Sequence, residues 1–155
     1  MSLSIEKILV PAPQLPQPPS SEETDSRLNI SVVFTSVEAT LIALKEAAAL
    51  ASRLAARITL VVPQIVPYHV PLESPPVLRD WNERRFRVFA SESPVETRVR
   101  LYLCRDRCET LMSVLKPRSL VVIGGRRRWW WPTPEKALAR TLRRAGHEVI
   151  FTGTE

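Results

Sequence analysis

Glycine and cysteine are scarce in this sequence. The scarcity of cysteine excludes a disulfide-rich secreted domain, and the scarcity of glycine argues against a glycine-rich phosphate-binding loop. Two cysteines among 155 residues, Cys104 and Cys108, are too few for the disulfide framework of a small secreted domain. Four glycines leave little material for the glycine-rich loops whose backbone amides usually hold phosphate. The adjacent pair Gly124 and Gly125 therefore marks the place where such a loop would have to begin.

Long apolar runs and clusters of metal ligands are missing as well. No run of about 18 apolar residues occurs, so we expect no membrane span. The first residues carry Glu6 and have neither a basic leader nor an apolar core of signal-peptide length, which predicts a cytoplasmic protein. His69 and His147 stand far apart, and the cysteines are spaced CxxxC without further ligands. We therefore expect no metal site and no catalysis, and we interpret the cysteines as ordinary thiols.

Basic residues are in excess, and most of them are arginine. The net charge is +6, and 18 of the 22 basic residues are arginine. Between Arg100 and Arg144 there are 12 basic residues against three acidic ones. This pattern predicts a positive field in the C-terminal half, suited to phosphate or carboxylate groups. A GC-rich genome produces the same arginine bias, and the sequence leaves both causes open.

Proline marks the boundary of the folded part. Five of the 14 prolines fall within residues 11–19, and a polar stretch follows over residues 20–25. This composition predicts a disordered, Pro-rich tail over residues 1–27, with residues 5–11 as a short strand if any part of it docks. Residues 28–155 then form a single domain.

The rest of the chain alternates between apolar, β-branched runs and amphipathic segments. Ser36 and Thr133 are predicted N-caps, Pro134 is predicted as the first residue of the last helix, and Gly146 as its C-terminal stop. The predicted strands cover residues 28–35, 57–67, 95–105, 118–125 and 148–153, and the predicted helices cover 37–56, 77–93, 106–116 and 133–147. The order βαβαβαβαβ predicts an α/β fold with a doubly wound parallel sheet.

In such a sheet, ligands bind at the carboxyl ends of the strands, where the strand order reverses. The Thr35–Ser36 turn and the Gly124–Gly125 turn both follow strands at that edge. They are the predicted rims of a binding site.

Two stretches of the sequence resemble the universal stress protein family. "ALKEAAALASRLAARITLVV" is similar to the first helix and second strand of that family, and "SLVVIGGRR…EKALARTLRRAGHEVIF" is similar to its fourth strand, glycine turn, last helix and fifth strand. The resemblance covers residues 28–152. It implies a Rossmann-like, adenine-nucleotide-hydrolase-like fold with five strands in the order 3-2-1-4-5. It also implies a homodimer that in many members forms through the fifth strands and, in one branch, ATP or AMP binding.

The chain departs from the pattern of the nucleotide-binding branch, which is Gly, two residues, Gly, nine residues, then Gly with Ser or Thr. Gly124 matches the first glycine, but the second falls on Arg127. The closing pair falls on Ala137–Leu138 by counting, or on Glu135–Lys136 if the last helix is aligned. Thr35 stands where that branch commonly has Asp. We therefore predict no standard ATP binding and no required cofactor.

The alternative is a nucleotide site in which arginines replace the missing glycines. ATP or AMP would then lie among Thr35, Ser36, Gly124 and Gly125, and its phosphates would be held by bidentate contacts from Arg126, Arg127 and Arg128.

The tryptophans that follow these arginines predict an interaction surface. Trp129, Trp130 and Trp131 cannot all point inward from one loop, so at least one is expected to be exposed or covered by a partner. Structural filling or self-association, another protein, and nucleic acid or a membrane surface all remain open. We expect a homodimer through the fifth strand at residues 148–152, with Val149 and Phe151 contributing.

Overall fold

The structure is a computed structural model that describes residues 28–65, 95–126 and 132–154, the backbone of Ile5–Leu9, and the single residue Val88. The predicted helix over residues 77–93 lies outside the described residues except for Val88, which is helical. Most of the predicted tail lies outside them as well.

The described elements follow the predicted order, apart from the additional strand at Ile5–Leu9 and the helix predicted over residues 77–93, which lies outside the described residues except for Val88. In chain order they are β1 (Ile5–Leu9), β2 (Asn29–Val33), α1 (Val37–Leu54), β3 (Arg57–Ile65), β4 (Thr97–Cys104), α2 (Arg107–Val114), β5 (Leu120–Arg126), α3 (Pro134–Arg144) and β6 (Glu148–Thr154).

All neighbouring strands of the sheet run parallel, in the order β1-β4-β3-β2-β5-β6. The last five of these strands reproduce the predicted order 3-2-1-4-5, so the predicted doubly wound sheet is confirmed. The sixth strand, β1, falls within the predicted tail and pairs with β4, with Ile5 opposite Val99. It lies within residues 5–11, which the sequence predicts as a short strand if any part of the tail docks. The strand extends the sheet at the β4 edge.

The helices α1 and α3 begin at the residues whose chemistry predicts it, whereas α1 ends two residues before the predicted position, with Ala55 at φ 50° as its C-cap. The Ser36 side chain accepts a hydrogen bond from the Ala39 amide, and that of Thr133 accepts one from the Lys136 amide. Each cap satisfies one of the amides that a helix N-terminus leaves without an intrahelical acceptor. Pro134 occupies the first turn of α3, where its missing N–H costs nothing.

The end of α3 is a Schellman motif. The Gly146 amide donates to the Arg143 carbonyl, and the His147 amide donates to the Leu142 carbonyl. Gly146 has φ 95°, a conformation that glycine adopts without steric cost. The predicted stop at Gly146 is therefore confirmed.

Each face of the sheet is covered by different helices, as expected for a doubly wound fold. One face packs against α1, and its core includes Ile30, Val32, Ala47, Ile58, Leu60 and Val122. The other face packs against α2 and α3, and its core includes Val33, Val61, Leu111, Ile123, Leu138 and Leu142. The chain turns toward β3 after β2 and toward β6 after β5, so the strand order reverses between β2 and β5.

Candidate functional site

The candidate site lies where β2 and β5 end, beside the first turns of α1 and α3. The topology brings Thr35, Ser36, Gly124 and Gly125 to this edge, where a doubly wound sheet places its ligand crevice. The register pairs Val33 with Ile123, so the two predicted rims follow directly on paired residues.

A hydrogen bond joins the two rims. The Thr35 hydroxyl donates to the Gly124 carbonyl at 2.7 Å, although the two residues are 89 positions apart. The Thr35 amide donates in turn to the Thr40 hydroxyl at 3.2 Å, inside the first turns of α1. These bonds use the Thr35 hydroxyl and amide, so both groups already have partners within the protein.

The two glycines serve close packing at this edge. A Cβ atom on Gly124 would lie 2.0 Å from the carbonyl oxygen of Ala39, so β5 touches the backbone of α1 there. A Cβ atom on Gly125 would lie 2.6 Å from the Phe151 ring and 3.0 Å from the Cβ atom of Glu135. Both positions are buried, and their lack of a side chain lets two helices approach the end of one strand.

Acidic residues occupy the first turns of both helices at the site. Glu38 lies in the first turn of α1 and is exposed, and Glu135 lies in the first turn of α3 and is half-buried. A carboxylate at a helix N-terminus is stabilised by the helix dipole and repels a second anion there. The helix ends that would attract phosphate therefore already carry negative side chains.

Arg126 is exposed at the end of β5, next to the glycine pair. Arg127, Arg128, Trp129, Trp130 and Trp131 lie outside the described residues. The predicted partner residues on β6 contact the core of their own chain: Val149 is buried, and Phe151 is half-buried near Gly125.

His147 has a structural contact that the sequence does not indicate. Its side chain is buried, and its Nδ1 atom accepts a hydrogen bond from the Ser119 amide at 3.2 Å. The next residue, Glu148, donates its amide to the Ser119 carbonyl at 3.0 Å. The histidine therefore fastens the end of α3 to the start of β5. The position of His147 directly after Gly146, where α3 ends, indicates a structural role. The sequence does not identify its partner Ser119, which lies 28 residues away.

The two cysteines differ in their surroundings. Cys104 is buried at the end of β4, with its Sγ atom 3.6 Å from the Gln64 carbonyl oxygen, whereas Cys108 in α2 is half-buried. Burial raises the pKa of the Cys104 thiol above its ordinary value of 9.0, and the charge of Asp106 raises it further. A hydrogen bond with Thr110 and the charge of Arg107 oppose the shift without cancelling it.

We expect alkylation by iodoacetamide at about pH 8 to modify Cys108 well before Cys104, because the thiolate is the reactive form and Cys104 is buried and protonated.

The raised pKa means that the folded state holds the Cys104 proton more tightly than the unfolded state. Its contribution to stability is therefore present below about pH 9 and lost as pH rises through the raised value. Urea unfolding of the wild type and of Cys104→Val between about pH 8 and 10 measures this slope, which the variant should lack. If Cys104 and Cys108 were alkylated at equal rates in the folded protein, the burial and raised pKa of the Cys104 thiol would be contradicted.

Within the part of the chain that the structure describes, no group of three or more His, Cys, Asp or Glu side chains is placed to hold a metal ion. Over the same residues, no helix combines the length and apolar character needed to cross a membrane.

Comparison with known proteins relates this site to a fold. No protein-family model matches the chain, and no curated protein matches its sequence. The structure is similar to the crystal structure of a protein from the universal stress protein family from Burkholderia pseudomallei, with a TM-score of 0.55 and 23% sequence identity. The match covers 81% of this chain and 96% of that one. The chain therefore has the fold of the universal stress protein family, and the resemblance predicted from its sequence is confirmed at the level of the fold.

Proposed function

We propose that this protein is a universal-stress-protein-like binding or regulatory module of the cytoplasm. In this proposal it catalyses no reaction, requires no cofactor, does not bind ATP in the manner of the nucleotide-binding branch, and self-associates through β6. The observation that carries the proposal is the hydrogen bond between Thr35 and Gly124, which joins the two rims of the crevice.

Three groups at the crevice that could contact a nucleotide have hydrogen-bond partners within the protein. The Thr35 hydroxyl is bonded to Gly124, and the Ala39 amide in the first turn of α1 is bonded to Ser36. At the other helix, the Lys136 amide is bonded to Thr133. A phosphate entering the crevice would have to replace these bonds, each worth about 1 kcal/mol net.

The charge of the described crevice does not favour an anion. The described charged residues at the carboxyl edge of the sheet balance, with four basic and four acidic side chains: Arg105, Arg107, Arg126 and Lys136 against Glu38, Asp106, Glu109 and Glu135. Two of the acidic residues occupy the first turns of α1 and α3. A triphosphate would bring several further negative charges close to them, and this repulsion opposes binding.

Calorimetric titration of the protein with Mg-ATP and with AMP tests this part of the proposal. We expect no saturable heat at ligand concentrations up to about 1 mM, which corresponds to less than about 4 kcal/mol of binding free energy. Mass spectrometry of the protein as purified should find no bound nucleotide. A micromolar dissociation constant, or a nucleotide that co-purifies, would overturn it.

The alternative is a nucleotide site in which arginines hold the phosphates. The observation that favours it is the exposed Arg126 at the end of β5, beside the crevice. If ATP binds in the titration, Arg126→Gln should weaken the binding by about tenfold, as expected for the loss of a charge-assisted hydrogen bond. An unchanged affinity would place the ligand elsewhere.

Self-association is proposed because β6 is one of the two edge strands of the described sheet. Successive residues of a parallel strand bond to opposite neighbours, and Glu148 donates to Ser119 beside β5. The N–H and C=O of Val149 therefore point away from β5. The Val149 carbonyl accepts a hydrogen bond from the Arg143 guanidinium at 3.1 Å, so that part of the edge is already covered. Edge pairing by β6 would be a backbone contact, because the Val149 side chain is buried in its own chain.

We expect sedimentation equilibrium to give a dimer whose population rises with protein concentration. Arg143→Ala should shift the equilibrium further toward the dimer, because it releases the Val149 carbonyl for a second strand. Arg140→Ala, a neighbouring exposed arginine on α3, is the matched control and should leave the equilibrium unchanged. A monomeric mass for the wild type at about millimolar concentration contradicts the proposal.

A further inference from the structure

Most exposed charges of the described residues lie near one of the two edges of the sheet. Among the described residues at the carboxyl edge, the exposed charged ones are Glu38, Asp106, Glu109 and Arg126. At the amino edge, four exposed basic residues lie around the starts of β5 and β6: Lys116, Arg118, Arg143 and Arg144. We name these four the basic edge, and Glu148 is the exposed acidic residue beside them.

Hydrogen bonds bring the two segments of the basic edge together. Lys116 and Arg118 lie in the turn before β5, and Arg143 and Arg144 end α3. Ser119, directly after the turn, receives the Glu148 amide on its carbonyl and donates its own amide to the buried His147 ring. The turn and the end of the helix are therefore fixed beside each other.

Complementing the helix dipoles accounts for only part of this charge. The C-termini of α2 and α3 meet this edge, and each carries about half a negative charge. Together with Glu148 they offset about two of the four positive charges. About two positive charges remain in excess at this surface, although one of the four cations, Arg143, also donates a hydrogen bond to the Val149 carbonyl within the fold.

The backbone at Arg118 supports a role for this surface independently of the charge count, because Arg118 occupies a conformation that an arginine rarely adopts. Pro117 precedes it in the turn, and Arg118 has φ 58°. Proline followed by a residue of positive φ is the pattern of a type II turn, in which glycine is the usual third residue. The chain thus carries an exposed basic side chain at a position where the backbone favours glycine. Backbone outliers of this kind cluster at functional sites.

We propose that the basic edge binds the phosphodiester backbone of nucleic acid. Three of its four residues are arginine, whose planar guanidinium holds phosphate oxygens in bidentate contacts. The neighbouring exposed residues are Pro117, Ala145, Gly146 and Glu148, together with Leu28, which is 50% exposed directly before β2. A single leucine among them does not make the apolar face with which a protein enters a lipid surface, so a membrane is the less suitable partner. This site lies at the edge opposite the crevice and is independent of whether the crevice binds a nucleotide.

Fluorescence anisotropy with a labelled single-stranded oligonucleotide of roughly 20 nucleotides tests the proposal, with salt raised from about 50 to 200 mM. Four phosphate contacts predict a slope of log affinity against log salt of about −3. Arg118→Gly should weaken binding by about fivefold and make the slope about 0.7 less steep. The same variant relieves the positive φ, so its melting temperature should rise by about 2–4 °C. Weaker binding by a more stable protein cannot be explained by misfolding.

Two further variants locate the surface. Arg144→Gln should weaken binding to the same extent as Arg118→Gly. Lys45→Gln removes one charge from an exposed position in the middle of α1 and should leave the affinity within about twofold of the wild type. An equal loss in Lys45→Gln would mean that net charge alone is responsible, and would overturn the proposal. So would the absence of binding at about 50 mM salt, or equally strong capture by phosphatidylserine vesicles, which would identify a lipid surface instead.

Discussion

Gly124→Ala is expected to destabilise the fold by about 3 kcal/mol or more, and the purified variant should be largely unfolded at 37 °C. The added Cβ atom would lie 2.0 Å from the Ala39 carbonyl oxygen and 2.6 Å from its carbonyl carbon. Both atoms belong to the backbone of α1, so no rotamer change relieves the overlap. Either α1 or the end of β5 must move, and both pack against buried core residues.

Gly125→Ala is the matched variant, since it adds the same methyl group one residue further along. Its Cβ atom would meet the tip of the Phe151 ring at 2.6 Å, which is a side chain and can be shortened. We expect a loss of about 1–2 kcal/mol, and part of it should be recovered in the double variant Gly125→Ala with Phe151→Leu. Truncating Phe151 should not rescue Gly124→Ala.

Urea unfolding followed by circular dichroism gives the free energy of each variant. If Gly124→Ala were as stable as Gly125→Ala, the close approach of β5 to the backbone of α1 would be wrong. The interpretation of Gly124 as a packing residue would then lose its basis.

Leu111→Ala is expected to destabilise the protein by about 3 kcal/mol, mainly by loosening α2. This helix has only eight residues and buries only Thr110 and Leu111 against the sheet. Leu111 is completely inaccessible to solvent and packs in the core cluster with Tyr102 and Leu115. Because isolated helices of this length are unstable in water, α2 depends on this contact.

Met112→Ala is the control for this prediction, because its side chain is 44% exposed on the same helix. It should change the free energy of unfolding by less than about 0.5 kcal/mol. Hydrogen exchange of the α2 amides and alkylation of Cys108 report on the same helix, and both should accelerate in Leu111→Ala and stay unchanged in Met112→Ala. If Leu111→Ala lowered the free energy of unfolding while the α2 amides stayed protected from hydrogen exchange, the local role of Leu111 would be contradicted.

The element order was predictable because its signals are local. Ser36, Thr133 and Gly146 act on amides and carbonyls within a few residues of themselves, so their roles follow from the sequence. The parallel order of the five main strands follows from alternating strands and helices together with the family resemblance. The extra strand at Ile5–Leu9 was only an option, because its partner β4 lies about 90 residues away and nothing near it in the sequence identifies that partner.

The position of the candidate site was predictable from the sequence, but the hydrogen bonding and packing within the site were not. Thr35, Ser36, Gly124 and Gly125 do meet at the carboxyl edge, because that follows from the topology. That the Thr35 hydroxyl is bonded to Gly124 depends on two strand ends whose distance the sequence does not give. The glycine pair reads in the sequence as the start of a phosphate loop, whereas in the structure both glycines make room for neighbouring groups.

The sequence by itself determined the order of strands and helices, the helix caps at Ser36, Thr133 and Gly146, and the excess of arginine. Each of these depends on composition or on residues close together in the chain. Only the tertiary structure decided that Gly124 touches the backbone of α1, that His147 holds Ser119, and that exposed basic residues gather at the edge opposite the crevice. The physical reason is that packing distances and surface charge arise from segments far apart in the chain, which only the folded sheet brings together.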